Sequence, residues 1–209
     1  MPVRNGDRFI REAVASTLGQ SWTDFELLVV DNGSTDGTAA AVAGFSDPRV
    51  VRLSEPRPGV ARALQAGLVA CRGDLVGFCA HDDVMLPGRL AAQVEALDRT
   101  GAGFSTCNVL LTDASGTPWQ VARYELLSPA LALQRLLRGR VFCAGGVVIA
   151  WRHLLDGWSF DPELVTEPVK MGETTWFPIS VRDKGRRSAQ MRSPVRGSGV
   201  LAIDPHALG

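Results

Sequence analysis

The chain has 209 residues, a length that suits one domain or one domain with a small extension. Apolar residues make up 45% of it, and Lys plus Arg balance Asp plus Glu at 22 each, so the charge gives no case for nucleic acid as the main partner. No secretory signal opens the chain, and its longest apolar stretch, residues 141–151, is shorter than the roughly 20 residues of a membrane span. We therefore expect no transmembrane segment, and a cytoplasmic protein that can associate peripherally with a membrane.

The first hundred residues alternate helix and strand signals. Apolar residues recur at helical spacing after residues 5–7, which predicts a helix capped there and running to about residue 20. Residues 25–30 predict a strand that ends in the turn-rich loop 31–37, where Ser34, Thr35 or Asp36 can cap the next helix. Further along, the pattern predicts a strand at 50–53, a helix at 60–71, a buried strand at 75–80 and a helix from Pro87 to about residue 99.

This alternation predicts an α/β fold with a mostly parallel sheet and helices on both faces. Ligands of such sheets bind beyond the carboxyl ends of the strands. Asp31 follows one predicted strand directly, and the pair Asp82 and Asp83 follows another. The sequence therefore predicts a polar site at this edge of the sheet.

The second half of the chain has a less regular pattern. Residues 103–112 predict a strand, and residues 119–124 predict its antiparallel neighbour across the turn at 113–116. A helix is predicted at 126–138 and a buried strand at 142–151. From about residue 185 the Arg-, Ser- and Gly-rich sequence predicts a loop or a disordered tail.

Two adjacent carboxylates after an apolar strand need a compensating charge. Mg²⁺ or Mn²⁺ is one candidate, because such ions take one or two protein carboxylates and complete their ligands with phosphate oxygens and water. A simple acidic helix cap before Pro87 is the alternative for Asp82 and Asp83. Asp31 is open between an acceptor of hydrogen bonds from a base or ribose and an Asx-turn. His81 is more typical of an ordinary polar residue than of a metal ligand.

Several segments, in the correct order, resemble the motifs of glycosyltransferase family 2. Residues 25–38, FELLVVDNGSTDGT, closely resemble its signature strand and loop, and residues 2–6, PVRNG, resemble its opening Pro-Val-Tyr-Asn-Gly loop. Further similarity lies in the start of its central helix (58–61 and 65–67), in its metal motif with the following helix (78–90, FCAHDDVMLPGRL) and in its Phe-Asp-Pro-Glu-Leu stretch (160–164). The resemblance runs from residue 2 to about residue 185.

The resemblance implies a GT-A fold, a three-layer α/β/α sandwich that binds a nucleotide-diphospho-sugar, most simply a UDP-sugar. Residues 1–112 would form the nucleotide-binding half, residues 113–185 the acceptor-side half, and residues 186–209 an irregular tail. Asp31 would hold the uracil or ribose, Asp82 would lie near the ribose or metal, and Asp83 would bind Mn²⁺ or Mg²⁺ on the diphosphate. The other implied donor-binding residues are Pro2, Val3, Arg4, Gly59 and Gln65.

The sequence departs from the family pattern in three places. The family's first β-strand, which precedes the opening loop, is missing, and this would expose a sheet edge. Ala80 replaces the first carboxylate of the usual Asp-x-Asp-Asp motif. Thr174 stands at the usual position of the base and cannot act as one near neutral pH, so Glu173 or Glu167 is the candidate catalytic carboxylate.

The leading hypothesis is a metal-dependent, inverting glycosyltransferase that moves a sugar to the hydroxyl of a glycan, a lipid-linked acceptor or a small molecule. The alternative is a truncated or degenerate homologue that binds nucleotide without catalysis, which the missing strand and Thr174 favour. A sugar nucleotidyltransferase is less favoured, because the Gly-rich phosphate loop that it needs near the N-terminus is absent from the sequence.

Overall fold

The structure of the chain, a computed structural model, describes residues 1–113, 116–123, 148–160, 169–171, 174–176 and 181–183. The chain divides into two compact units: the first comprises residues 1–73, 79–88 and 155–186, and the second comprises residues 74–78, 89–154 and 187–209. All the residues predicted to bind the donor or a metal belong to the first unit. The predicted division at residue 112 and the tail at 186–209 stay predictions.

The described helices and strands follow one another in a βα alternation up to residue 100, after which short strands dominate. In chain order they are β1 (Pro2–Val3), α1 (Ile10–Leu18), β2 (Leu27–Asp31), α2 (Thr38–Ala43), β3 (Val50–Ser54), α3 (Val60–Ala70), β4 (Leu75–Gly77), α4 (Arg89–Thr100), β5 (Phe104–Ser105), β6 (Val109–Thr112), β7 (Pro118–Ala122), β8 (Ile149–Trp151), β9 (Trp158–Phe160), β10 (Val169–Met171), β11 (Thr174–Trp176) and β12 (Val181–Asp183). None of the described helices is long and apolar enough to span a bilayer.

The first unit is built on a parallel sheet of β1, β2 and β3, hydrogen-bonded in that order. Residues 27–30 of the central strand are all buried, as expected for a strand covered on both faces. The predicted parallel sheet is confirmed for these strands. The two residues of β1 lie inside the segment 2–6 that the sequence predicted as a loop, so this short strand was not predicted.

Helices cover both faces of this sheet. Successive side chains of β2 point to opposite faces, so Leu27 and Val29 share one face and Leu28 and Val30 share the other. The first face packs in a core with side chains of α1 and α2, namely Ile10, Val14, Ala41 and Val42. On the second face α3 comes close to β2, because a Cβ at Gly67 would lie 3.5 Å from Cγ2 of Val30.

Helix α1 is shorter than predicted at both ends. Residues 5–7 do not cap it: Phe9 stands at the N-cap position and no side chain caps the helix, while the backbone N–H groups of residues 5–7 donate to side chains of residues 34, 38 and 36. Asn5 has a φ of 53°, a left-handed conformation that asparagine tolerates and that keeps the chain out of the helix. Gly19 follows the last helical residue, so Gln20 lies beyond the helix end. Helix α2 agrees with prediction, and Asp36 accepts the N–H of its first residue, Thr38, at 3.0 Å.

The strand predicted at 75–80 is limited to β4 and belongs to the second unit. The alternation alone predicted a parallel partner, but β4 pairs antiparallel with β8, which also pairs antiparallel with β5. A later segment therefore returns beside β4, and no local pattern reveals that. Helix α4 begins at Arg89 rather than at Pro87, because Gly88 adopts a φ of 80° between them.

The predicted hairpin at the turn 113–116 is confirmed by the antiparallel pairing of β6 and β7. The single strand predicted at 103–112 is interrupted at residues 106–108, which separate β5 from β6. Two further antiparallel pairs are β9 with β12 and β10 with β11. The helix predicted at 126–138, residues 142–147 of the predicted strand, and the tail lie outside the described residues.

Candidate functional site

Asp31 ends β2, and in the sheet register it lies between Val3 of β1 and Ser54 of β3. Its Oδ1 accepts the backbone N–H of Ser34, three residues along the chain, at 3.0 Å, so this oxygen stabilises the loop after β2 and does not cap α2, whose first N–H Asp36 accepts. Within the part of the chain that the structure describes, Oδ2 accepts no hydrogen bond. One carboxylate oxygen at the carboxyl end of the parallel sheet thus remains for a ligand, and its donor-binding role stays a prediction.

Two loops beyond this sheet edge are joined to each other by hydrogen bonds: the opening loop, limited from here on to the residues after β1 (4–9), and the signature loop, residues 32–37. The bonds between them are Asn5 N to Ser34 Oγ (3.0 Å) and Thr35 N to Asn5 Oδ1 (2.8 Å), and Gly6 N donates to Oγ1 of Thr38, the first residue of α2, at 2.8 Å. A Cβ at Gly37 would lie 2.7 Å from Oδ2 of Asp7, so any larger residue at position 37 would displace the Asp7 carboxylate. The two loops therefore form one fixed surface.

Asn32 is a site residue that the sequence analysis treated only as part of a turn. It is 3% exposed, and its Nδ2 donates to the carbonyl oxygens of Glu55 and Arg57, each at 2.8 Å. Its Oδ1 accepts the N–H of Gly59 at 2.8 Å. Gly59 has a φ of 134°, which side-chain-bearing residues rarely adopt. Asn32 thus fixes the loop between β3 and α3, including the predicted donor-binding residue Gly59.

Glu55 is buried in that loop and holds Arg57 through two hydrogen bonds. Arg57 Nε donates to Oε1 and Nη2 donates to Oε2, each at 2.8 Å. The side-chain hydrogen bonding from Arg57 lowers the pKa of Glu55 to about 2. The ion pair joins two residues of the loop that Asn32 holds.

Acid is expected to weaken the fold through Glu55. A folded-state pKa below the ordinary value of 4.5 means that the stabilisation is fully present above that pH and is lost as pH falls through about 2. Glu55→Gln should therefore lower the free energy of unfolding at pH 7, and this difference from the wild type should shrink toward pH 2. Urea denaturation of both proteins at the two pH values measures it. A difference that does not change with pH would contradict the prediction.

Asp82 and Asp83 lie in residues 79–88, which return the chain from β4 to the first unit. The Asp82 side chain is 54% exposed and its Oδ1 lies 3.9 Å from Nδ1 of His81, while Asp83 is also exposed. In the described ranges no three His, Cys, Asp or Glu side chains group as a metal site, so His81 does not join the pair in one. Two exposed carboxylates still fit a Mg²⁺ or Mn²⁺ ion whose other ligands are phosphate oxygens and water. The metal-binding role of the pair stays a prediction.

His81 packs against the opening loop. A Cβ at Gly6 would lie 2.5 Å from Cδ2 of His81 and 2.6 Å from Cγ2 of Val3, so the imidazole occupies space that only glycine leaves. This contact brings the residue before Asp82 to the loop that follows β1. The opening loop, the signature loop and the carboxylate pair are therefore neighbours.

The remaining residues predicted to bind the donor differ in their exposure and in their contacts. Val3 is 2% exposed and packs in the core, so only its backbone can reach a ligand. Pro2 is half-buried and Arg4 is exposed. Gln65 of α3 accepts the backbone N–H of Phe160 at 2.9 Å through Oε1, which ties β9 to the helix, a contact that the sequence did not predict.

The candidates for the catalytic base are two glutamates near β10 and β11 in the sequence. Glu167 and Glu173 lie outside the described residues. Thr174 begins β11, where it is the register partner of Met171 in β10. The assignment of Glu173 as the catalytic carboxylate therefore stays a prediction.

Comparison with known proteins finds a matching family and a relative whose name states its donor and its acceptor. The family described as Glycosyl transferase family 2 matches residues 1–157. The chain is 31% identical over 165 residues to the UDP-Glc:alpha-D-GlcNAc-diphosphoundecaprenol beta-1,3-glucosyltransferase WfgD of Escherichia coli, a match that covers 77% of this chain and 62% of that protein. The chain spans about a third of the length of several other curated relatives that it matches.

Solved structures have the same fold. S. aureus TarS in complex with UDP matches with a TM-score of 0.62 at 20% identity, over 78% of this chain and 49% of that one. The mannosyltransferase PcManGT from Pyrobaculum calidifontis, in complex with GDP-Man and Mn²⁺, matches with a TM-score of 0.56 at 23% identity, over 78% and 46%. These matches confirm the fold class predicted from the sequence, a GT-A-type α/β fold.

Proposed function

Because the chain belongs to glycosyl transferase family 2, we propose that it transfers a sugar from a nucleotide-diphosphate donor to an acceptor hydroxyl. The observation that carries the proposal is the meeting of three segments beyond the carboxyl ends of β1 and β2. Asp31 ends β2, the opening and signature loops are hydrogen-bonded to each other, and His81, the residue before Asp82, packs against Gly6 of the opening loop. Nucleotide ligands of α/β sheets bind at such an edge.

Three carboxylates, those of Asp31, Asp82 and Asp83, form the donor-binding end of the proposed site. Asp31 accepts a hydrogen bond from the base or ribose through Oδ2, while Oδ1 keeps its bond to Ser34. Asp83, with Asp82, would hold Mn²⁺ or Mg²⁺ against the diphosphate, and a bound ion would supply positive charge that offsets the charge of the leaving nucleoside diphosphate. The complexes of TarS with UDP and of PcManGT with GDP-Man and Mn²⁺ support a nucleotide donor and a metal, with a UDP-sugar tested first.

The proposed transfer is a single displacement that inverts the anomeric carbon. The acceptor oxygen forms a bond to the anomeric carbon while the bond between that carbon and the diphosphate oxygen breaks. The proton of the acceptor hydroxyl passes to a carboxylate. We assign this role to Glu173, because Thr174 has no group that takes a proton near neutral pH. The E. coli relative is named for a diphosphoundecaprenol-linked acceptor, so a lipid-linked sugar is the first acceptor class to test before glycans and small molecules.

Calorimetric titration of UDP into the protein, with and without Mn²⁺, tests the donor site. We expect UDP to bind in a Mn²⁺-dependent manner and more tightly than GDP. Absence of binding to UDP, GDP and dTDP by a folded protein would overturn the donor-site proposal. Mn²⁺-dependent binding, with no sugar transferred to lipid-linked, glycan or small-molecule acceptors, would instead favour the degenerate homologue that binds nucleotide without catalysis.

A further inference from the structure

The segment that carries the two candidate metal ligands, residues 81–86, belongs to neither a helix nor a strand. It is here called the carboxylate segment. The side chains of residues 82, 83, 84 and 86 are exposed, and the side chain of Met85 between them is buried. A ladder of secondary-structure hydrogen bonds therefore does not determine where Asp83 lies, and other contacts must do so.

Two side chains at the carboxyl end of α1 hold the far end of this segment. The amide Nε2 of Gln20 lies 3.3 Å from the carbonyl oxygen of Met85 and 3.0 Å from that of Leu86, and donates to both. The backbone N–H of Met85 donates to Oγ of Ser16 at 3.0 Å. Both polar groups of the Met85 backbone thus have partners on or just after one helix.

These bonds are costly to lose because one of them is buried and the other two are partly buried. Gln20 is 3% exposed, so an unpaired amide or carbonyl at this place would carry the full desolvation penalty. At the near end, the ring of His81 fills the space beside Gly6. The two carboxylates consequently lie between two fixed points, and Asp83 is two residues from the one at Met85.

We infer that Gln20 and Ser16 are positioning residues for Asp83, which fix the carboxylate segment so that the pair meets a metal-bound diphosphate. The inference rests on the proposed function. Neither residue needs to contact donor or metal. They act through the backbone of residues 85 and 86, as the supporting groups around a metal ligand orient the ligand itself.

The chain offers a matched control next to Ser16. Oγ of Ser16 and Oγ1 of Thr17 each donate to the carbonyl oxygen of Ala13 at 2.9 Å, but only Ser16 also accepts the N–H of Met85. Ser16→Ala and Thr17→Val therefore both remove a bond within α1, and only the first removes a bond to the carboxylate segment. Gln20→Leu removes the bonds to Met85 and Leu86, together with the bond from Nε2 to the carbonyl oxygen of Ser16 (3.2 Å), and keeps a side chain of similar length.

The readout is the ratio of the dissociation constants of UDP without and with Mn²⁺, measured by calorimetry on protein checked for folding by circular dichroism. We expect Gln20→Leu to reduce this ratio about tenfold, the low end of the effects of groups that orient a metal ligand, and Ser16→Ala, which removes one bond to the segment rather than two, to reduce it about threefold. UDP affinity without metal should change less than about twofold. Thr17→Val should leave the ratio unchanged.

Each outcome decides between the two proposals. A wild type whose UDP affinity does not respond to Mn²⁺ defeats the metal-dependent donor site itself. A wild type that responds, with ratios for Ser16→Ala and Gln20→Leu equal to that of Thr17→Val, defeats only the positioning role. If Gln20→Leu does not fold, the comparison of Ser16→Ala with Thr17→Val decides alone.

Discussion

Replacing Asp83 by asparagine is expected to abolish the Mn²⁺ dependence of UDP binding and to lower sugar transfer by at least about a hundredfold. The substitution keeps the size of the side chain and removes its charge, which is what a hard divalent cation needs from a carboxylate. Because the Asp83 side chain is exposed, the free energy of unfolding should change little. Calorimetry with UDP and Mn²⁺, followed by an assay of UDP release, measures both effects.

Asp98→Asn is the charge-matched control for this experiment. Asp98 is exposed on α4 and lies outside the carboxylate segment in the sequence, so Asp98→Asn changes the net charge equally and leaves the residues of that segment unaltered. We expect this variant to bind UDP and Mn²⁺ as the wild type does. Equal losses in both variants would mean that net charge, not a metal ligand at Asp83, controls the binding.

The pattern of apolar residues predicted the elements better than it predicted their ends. The four consecutive apolar residues of β2 are buried on both faces, so any strand there must be central. The start of α1 could not be predicted, because the N–H of Gly6 bonds to Thr38, which is 32 residues away. The antiparallel partner of β4 was equally hidden, since residues 149–151 follow it by more than seventy positions. Long-range hydrogen bonds override local propensity at each of these points.

In the candidate site, too, some residues could be predicted from the sequence and others could not. Asp31, Asp82 and Asp83 could be picked out because carboxylates directly after apolar strands are costly to place without a partner. Asn32 and Gln20 could not, because an amide in a turn-rich sequence gives no sign of which carbonyl it will meet. Their partners lie 23 to 27 and 65 to 66 residues further along the chain. The charged candidate residues could therefore be named from the sequence, and the neutral residues that hold their loops could not.

Asn32→Ala is expected to lower the free energy of unfolding by about 3 kcal/mol. The change removes the bonds to the carbonyl oxygens of Glu55 and Arg57 and leaves the N–H of Gly59 without its acceptor. Each lost bond contributes about 1 kcal/mol, and a buried donor without a partner costs more. The loop between β3 and α3 should also lose its fixed path beside Asp31, so UDP affinity should fall with stability. Urea denaturation measures the first effect and calorimetry measures the second.

Ser34→Ala is the control that shows whether the buried hydrogen bonds of Asn32 stabilise the fold more than an exposed hydrogen bond between the two loops does. Oγ of Ser34 accepts the N–H of Asn5 at 3.0 Å in an exposed position, so water can take its place. We expect this variant to lose only about 0.5 kcal/mol. If Asn32→Ala were no more destabilised than Ser34→Ala, the loop carrying Gly59 would be held by something other than Asn32. A loss confined to Asn32→Ala would instead make this buried amide the support on which the nucleotide end of the site depends.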